Sequence, residues 1–196
     1  MVLTESEPVL SDGDEAPSFE LPGVDGETYS PESFADHDAL LIVFTCNHCP
    51  YAKAKMDELN HLAAEYDDLA VVGVNSNDAE EYPDDSFDRM VELVEDGTIG
   101  YDAYLRDESQ SVAAAYGAVC TPDPFLFARE DDAFRLAYHG RLDDAPNPDD
   151  TPSRYHVREA VESILAGDPV TVEEDPSMGC SIKWRPGAEP DYWDDV

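Results

Sequence analysis

Two cysteines set two residues apart, Cys46 and Cys49 in Phe44-Thr45-Cys46-Asn47-His48-Cys49-Pro50, carry the plainest chemistry in this chain. A thiolate attacks a disulfide sulfur, and a second thiol close by resolves the mixed disulfide that forms. The pair follows an apolar strand-like run, Ala39-Leu40-Leu41-Ile42-Val43-Phe44. It precedes a segment in which Ala52, Met56, Leu59, Ala63 and Tyr66 recur at helical spacing. A strand-to-helix junction offers Cys46 unpaired backbone N–H groups and the positive end of a helix dipole, which favour a thiolate. Cys46 is therefore expected at the exposed edge as the attacking residue, with Cys49 one helical turn inward as the resolving one. Asn47 and His48 are the candidates for tuning the pair. A protonated His48 would favour the thiolate, the alternative being an exposed residue at a helix start.

The other two cysteines, Cys120 and Cys180, are candidate accessory thiols. Cys120 reads either as a third redox thiol or as a small buried hydrophobe, and a Cys120–Cys180 bridge that pins the tail is a further hypothesis. Four cysteines in 196 residues are too sparse for a disulfide scaffold. In a reducing cytosol a Cys-x-x-Cys pair is redox-active or metal-binding rather than structural. A metal carrier would use Cys46, Cys49 and one of Cys120, His48 or His139. The isolated pair matches paired zinc knuckles poorly, so no metal and no cofactor is expected.

The composition limits partners. Eleven basic against 46 acidic residues give a net charge of −35, which disfavours nucleic acid and anionic membranes alike. The acidic residues are spread along the chain, with only three lysines, as on a protein adapted to a high-salt cytoplasm. At molar salt the Debye length is about 3 Å and self-repulsion is screened. The melting temperature is accordingly expected to fall between molar and millimolar KCl, and an unchanged value would contradict this. Lys53 and Lys55 lie one turn beyond the cysteines, either as local basicity or as a solvated helix face. The acidic start shows no signal-peptide pattern, and no apolar run nears the ~18 residues of a membrane span. A cytoplasmic location is the expectation.

Residues 1–15 read as a flexible acidic lead-in, 16–167 as one domain and 168–196 as a tail packing on it. Turn residues at Pro22-Gly23 and Asp25-Gly26 predict a short hairpin. Leu69-Ala70-Val71-Val72-Gly73-Val74 predicts a second buried strand, so strand, helix and strand form a βαβ unit. Phe87, Met90, Val91 and Val94 predict a helix ended near Gly97. A short strand follows at 101–105 and a helix at 109–116. Phe125-Leu126-Phe127 and Phe134 to Tyr138 predict an antiparallel pair, and a last helix runs from about Ser153 to Ala166.

A second motif, Gly117-Ala118-Val119-Cys120-Thr121-Pro122, stands just before the Phe125-Leu126-Phe127 strand. With Cys46-Asn47-His48-Cys49 it resembles the thioredoxin-like redoxin superfamily. FTCNHCPY, CTPDPFLF, YHGRLDD and GCSIKW together look like its peroxiredoxin-like, AhpC/TSA-related family. The resemblance implies an α/β thioredoxin-like fold, with a central mixed β-sheet flanked by helices, an N-terminal hairpin and an extended C-terminal tail. It implies a cis-proline at Pro122 packed against the cysteine pair, with Thr121 and Pro122 shaping a substrate groove. Oxidising members of the fold carry His where His48 stands. Thioredoxins place a buried Asp where this chain has Leu40. Peroxiredoxins place Thr at the Cys46 position and their peroxidatic cysteine at the Cys49 position. The implied activity is thiol–disulfide exchange with protein or small-molecule disulfides and a thioredoxin-type reductase as partners. A thiol peroxidase is the alternative.

Overall fold

The computed structural model describes residues 3–6, 9–172 and 175–195. In chain order its elements are β1 (Leu3–Glu5), β2 (Leu21–Pro22), β3 (Thr28–Tyr29), β4 (Ala39–Phe44), α1 (Pro50–Lys53) and α2 (Met56–Glu65). Then come β5 (Leu69–Asn75), α3 (Phe87–Glu95), β6 (Ala103–Arg106), α4 (Ser111–Tyr116), β7 (Cys120–Thr121) and β8 (Asp123–Glu130). The chain closes with β9 (Ala133–His139), α5 (His156–Ala166) and β10 (Met178–Ser181).

The unbroken apolar run of β4 makes it the centre of the molecule. All six of its residues are buried, because both faces of the strand are covered. Side chains alternate along a strand, so Leu40, Ile42 and Phe44 join Phe125, Phe127 and Tyr116 on one face. Ala39, Leu41 and Val43 join Leu59, Leu62, Val157 and Val161 on the other, under α2 and α5. The central sheet has the order β6-β5-β4-β8-β9. β4 runs parallel to β5, and β5 to β6, while β8 is antiparallel to both β4 and β9. This is the mixed sheet of a thioredoxin-like fold. Leu40, where thioredoxins bury an acid, packs in the apolar core.

A second, three-stranded sheet of order β1-β10-β7 lies over the end of β4. Its members come from the two ends of the chain and from the Cys120 motif. The lead-in expected to be flexible therefore contains a strand: Leu3–Glu5 pairs antiparallel with Met178–Cys180. Three residues carry too little periodicity to reveal a strand, and the pairing is tertiary. Residues 1, 2, 7 and 8 of that lead-in, and 173, 174 and 196 of the tail, lie outside the described residues. The tail buries Ile182 and Trp184 against the core. The last helix starts at His156 and not near Ser153. The backbone N–H groups of Ser153 and Arg154 donate to the Asp144 carboxylate at 2.8 and 3.1 Å instead of opening a helix. Among the described residues, no helix is long and apolar enough to cross a membrane.

Candidate active site

β4 delivers the chain into the loop Thr45–Cys49, and Cys49 caps α1 with Pro50 in the first helical position, where its missing N–H costs nothing. β7 delivers Thr121, and the Thr121–Pro122 peptide bond is cis. The two motifs meet: Cys46 Sγ lies 3.2 Å from Thr121 Oγ1, and Cys49 Sγ lies 3.6 Å from the Thr121 carbonyl oxygen. Pro122 lines a cleft together with Tyr51, Lys55, Arg141, Asp143 and Met178.

The cysteines pair differently from either expectation. Cys49 is bonded to Cys180, with Cα atoms 6.4 Å apart, and Cys46 and Cys120 are free thiols. Cys46, Cys49 and Cys180 pack as one buried cluster with Ala52. A Cys120–Cys180 bridge is ruled out by register. Cys180 stands opposite Thr121 and Cys120 opposite Ser181, so alternation sends the Cys120 and Cys180 side chains to opposite faces. Cys120 is fully buried, and burial, with Asp123 second, pushes its thiol well above the usual range. That is the behaviour of an inert small hydrophobe.

Cys46 is not at an exposed edge; its relative exposure is 0%. Its thiol is pushed up to about 11, first by burial and second by the negative charge of Asp85. The Thr121 hydroxyl and the backbone N–H groups of Cys49 and His48 pull the other way and are outweighed. The expected thiolate-favouring helix start is thus present only as single amides, since α1 is four residues long. With Cys49 and Cys180 bonded, alkylation of Cys46 by iodoacetamide should be slow at pH 7 and should rise about tenfold per pH unit toward pH 11, as the thiolate fraction grows. Rapid alkylation with a midpoint below the ordinary thiol value would contradict the burial. Stability carries the same sign: the neutral buried thiol contributes fully below pH 9, and its contribution is lost as pH rises toward 11.

Asp85, fully buried in the turn before α3, organises the polar side of the site. Its carboxylate accepts from the Asn47 backbone N–H at 2.7 Å, Asn77 Nδ2 at 2.7 Å and Asn75 Nδ2 at 3.4 Å. His48 Nδ1 pairs with it at 2.6 Å, and the His48 ring stacks on Tyr82 with centroids 5.5 Å apart. Asn47 is held further by Tyr104, whose hydroxyl donates to Asn47 Oδ1 at 2.7 Å. His48 is therefore a held, partly buried residue and not an exposed helix start.

The local cation comes from the tail. Lys183 Nζ sits 5.9 Å from the Tyr82 ring centroid. Burial pulls its ammonium below the usual value, while Cys46 and Asp85 draw it back up. Of the two lysines nearest in sequence, Lys53 is exposed. Lys55 is not a solvated face residue: its side chain is 12% exposed and ion-paired with Asp143 at 2.6 Å.

Among the described residues, Cys46, His48 and Asp85 can each bring one ligand atom within 4.8 Å of the others. The set weighed from sequence is not gathered. Cys49 is spent in a disulfide, and His139 Nε2 is paired with Asp123 Oδ1 at 2.9 Å. Ser6 Oγ donates to Asp123 Oδ2 at 3.0 Å, so that buried pair also ties the N-terminal strand to the residue after Pro122.

Sequence reasoning missed Asp85, Lys183 and the Asp123–His139 pair. The signal available was the polar run Asn75-Ser76-Asn77-Asp78 at the end of a buried strand, all four residues being buried. Polar groups there need partners.

The sequence matches the AhpC/TSA family over residues 13–134. A hypothetical protein from Sinorhizobium meliloti 1021 is 40% identical, with a TM-score of 0.86 over 94% of this chain and 100% of that one. An uncharacterized conserved protein from Geobacillus kaustophilus is also 40% identical, with a TM-score of 0.87 over 95% of this chain and 98% of that one. A thiol:disulfide interchange protein DsbE from Chlorobium tepidum, described as putative, is 22% identical. It shares the fold, with a TM-score of 0.56 over 81% of this chain and 97% of that one. No curated protein matches the sequence.

Proposed function

Because the chain belongs to the AhpC/TSA family, we propose that it is a thiol–disulfide oxidoreductase in which Cys46 and Cys49 exchange with a protein or small-molecule disulfide at the Thr121–Pro122 groove. The observation that carries this reading is the convergence of both sulfurs on Thr121, 3.2 and 3.6 Å away, directly before the cis-proline.

In the reduced enzyme Cys46 gives up its proton and its sulfur attacks one sulfur of the substrate disulfide. The substrate S–S bond breaks, one substrate thiolate leaves, and a Cys46–substrate disulfide forms. Cys49 then attacks the Cys46 sulfur and expels the second substrate thiolate. Two electrons pass from the dithiol to the substrate, and a thioredoxin-type reductase in the cytoplasm returns them. A His48 ring nitrogen lies within 4.8 Å of Cys46 Sγ and is the proton acceptor. The Thr121 hydroxyl holds the sulfur in place.

One observation favours a second reading, a thiol peroxidase. Cys49 occupies the position that the resemblance gives to a peroxidatic cysteine, and its bond to Cys180 is the product expected when a thiol attacks a Cys49 sulfenic acid. Turnover of insulin disulfides and of hydrogen peroxide by the reduced protein separates the two. Insulin reduction supports the exchange reading; peroxide consumption without insulin reduction supports the peroxidase.

A further inference from the structure

Resting on the exchange reading above, we propose that Cys180 is a third redox thiol that competes with Cys46 for Cys49, so that the chain alternates between a Cys49–Cys180 and a Cys46–Cys49 disulfide. Three features on three separate parts of the chain converge on this. The Cys49–Cys180 bond spans 131 residues, yet a free thiol, Cys46, packs in the same buried cluster. Cys46 is three residues from Cys49, a spacing that suits it to replace Cys180 on the Cys49 sulfur. Cys180 is presented by β10, whose neighbour Gly179 leaves no room for a side chain, since a Cβ there would fall against the Thr121 carbonyl. The Thr121 hydroxyl also donates to the Cys180 carbonyl at 3.4 Å. The residue before the cis-proline therefore touches all three cysteines of the cluster.

The step needs no outside oxidant. Cys46 loses its proton and its sulfur attacks Cys49 Sγ. The Cys49–Cys180 bond breaks, the Cys46–Cys49 bond forms, and Cys180 leaves as a thiolate that takes up a proton. One disulfide and one thiol stand on each side, so electrons and protons balance. The exchange also governs access. Cys46 and Cys49 are 0% exposed and Cys180 2% while the bond holds the tail strand across the site. Once Cys180 is released, β10 loses its covalent tie to the site and is held by its short pairings with β1 and with Cys120–Thr121 and by the buried Ile182 and Trp184 that follow it. The Cys49–Cys180 state is the covalently closed store, and the Cys46–Cys49 state leaves β10 without its covalent tie to the site.

Trapping of the oxidised full-length wild type tests this, with Cys46→Ser as the control. The protein is oxidised with glutathione disulfide, freed of it, quenched in acid, alkylated with N-ethylmaleimide after unfolding, and mapped by mass. Two populations are expected, one alkylated at Cys46 and the other at Cys180, both with Cys49 in a disulfide. Slow native alkylation of the released Cys180 should drain the whole sample into the Cys180-labelled form. In Cys46→Ser that labelling should be lost, because only the Cys49–Cys180 bond can form. A single population that never drains, of either kind, overturns the exchange. The insulin assay keeps the two proposals apart. Insulin turnover with one static population removes only the role of Cys180. Two exchanging populations without insulin turnover remove only the oxidoreductase reading.

Discussion

Cys46→Ser is expected to lower the rate of insulin-disulfide reduction by at least about 10³-fold, to the level of free dithiothreitol, with little change in melting temperature. The loss is large because the attacking sulfur disappears, and a serine hydroxyl is not a nucleophile toward disulfides. Little stability is lost because the substitution is nearly isosteric and Thr121 Oγ1, 3.2 Å away, can bond a hydroxyl as it does the thiol. Cys49→Ser should lose turnover as completely and for a different reason. The first attack proceeds, but the mixed disulfide on Cys46 has no neighbour to resolve it. A single-turnover burst in Cys49→Ser that is absent in Cys46→Ser would fix the order of attack. A burst in Cys46→Ser, or none in either variant, would contradict it.

The second large effect concerns Asp85, which has no place in the cysteine motif itself. Asp85→Ala is expected to destabilise the fold by about 3–5 kcal/mol in urea titrations. It strips the buried partners Asn47 N–H, Asn77 Nδ2 and His48 Nδ1 of their common acceptor at once. Relief of the overall negative charge does not offset this at molar salt, where it is screened. Asp85→Asn separates charge from packing. An amide keeps the shape and removes the negative charge that helps to hold the Cys46 thiol near 11. The thiol should therefore ionise at lower pH, and alkylation of Cys46 at pH 8 should become faster. An unchanged or slower rate would show that Asp85 does not act electrostatically on the sulfur.

The fold could be read from sequence where a strand is apolar throughout. Ala39 to Phe44 and Leu69 to Val74 announce a covered parallel pair because strands apolar at nearly every position need both faces buried. Thr121-Pro122 could be placed through the resemblance, which implies a cis-proline just before the Phe125-Leu126-Phe127 strand. What escaped reading was set by register between distant segments. The Cys49–Cys180 pairing depends on Cys180 standing opposite Thr121, which depends in turn on two-residue β7 and four-residue β10 finding each other. Strands that short have no detectable period. The raised Cys46 thiol escaped for an energetic reason. The amides of a helix start are visible in the sequence, whereas the burial that outweighs them comes from tertiary packing, with Cys180 of the tail in the same cluster. Lys183 is hidden for the same reason: the basicity visible in the sequence lies one turn after the cysteines, whereas the cation that faces the site arrives from the tail.

If Cys46 is the residue that attacks a disulfide, incubating reduced Cys49→Ser with glutathione disulfide traps it. Mass mapping should find one glutathione on Cys46, removable by dithiothreitol, with Cys120 unmodified. Glutathione found on Cys180 or Cys120 while Cys46 stays free would contradict it.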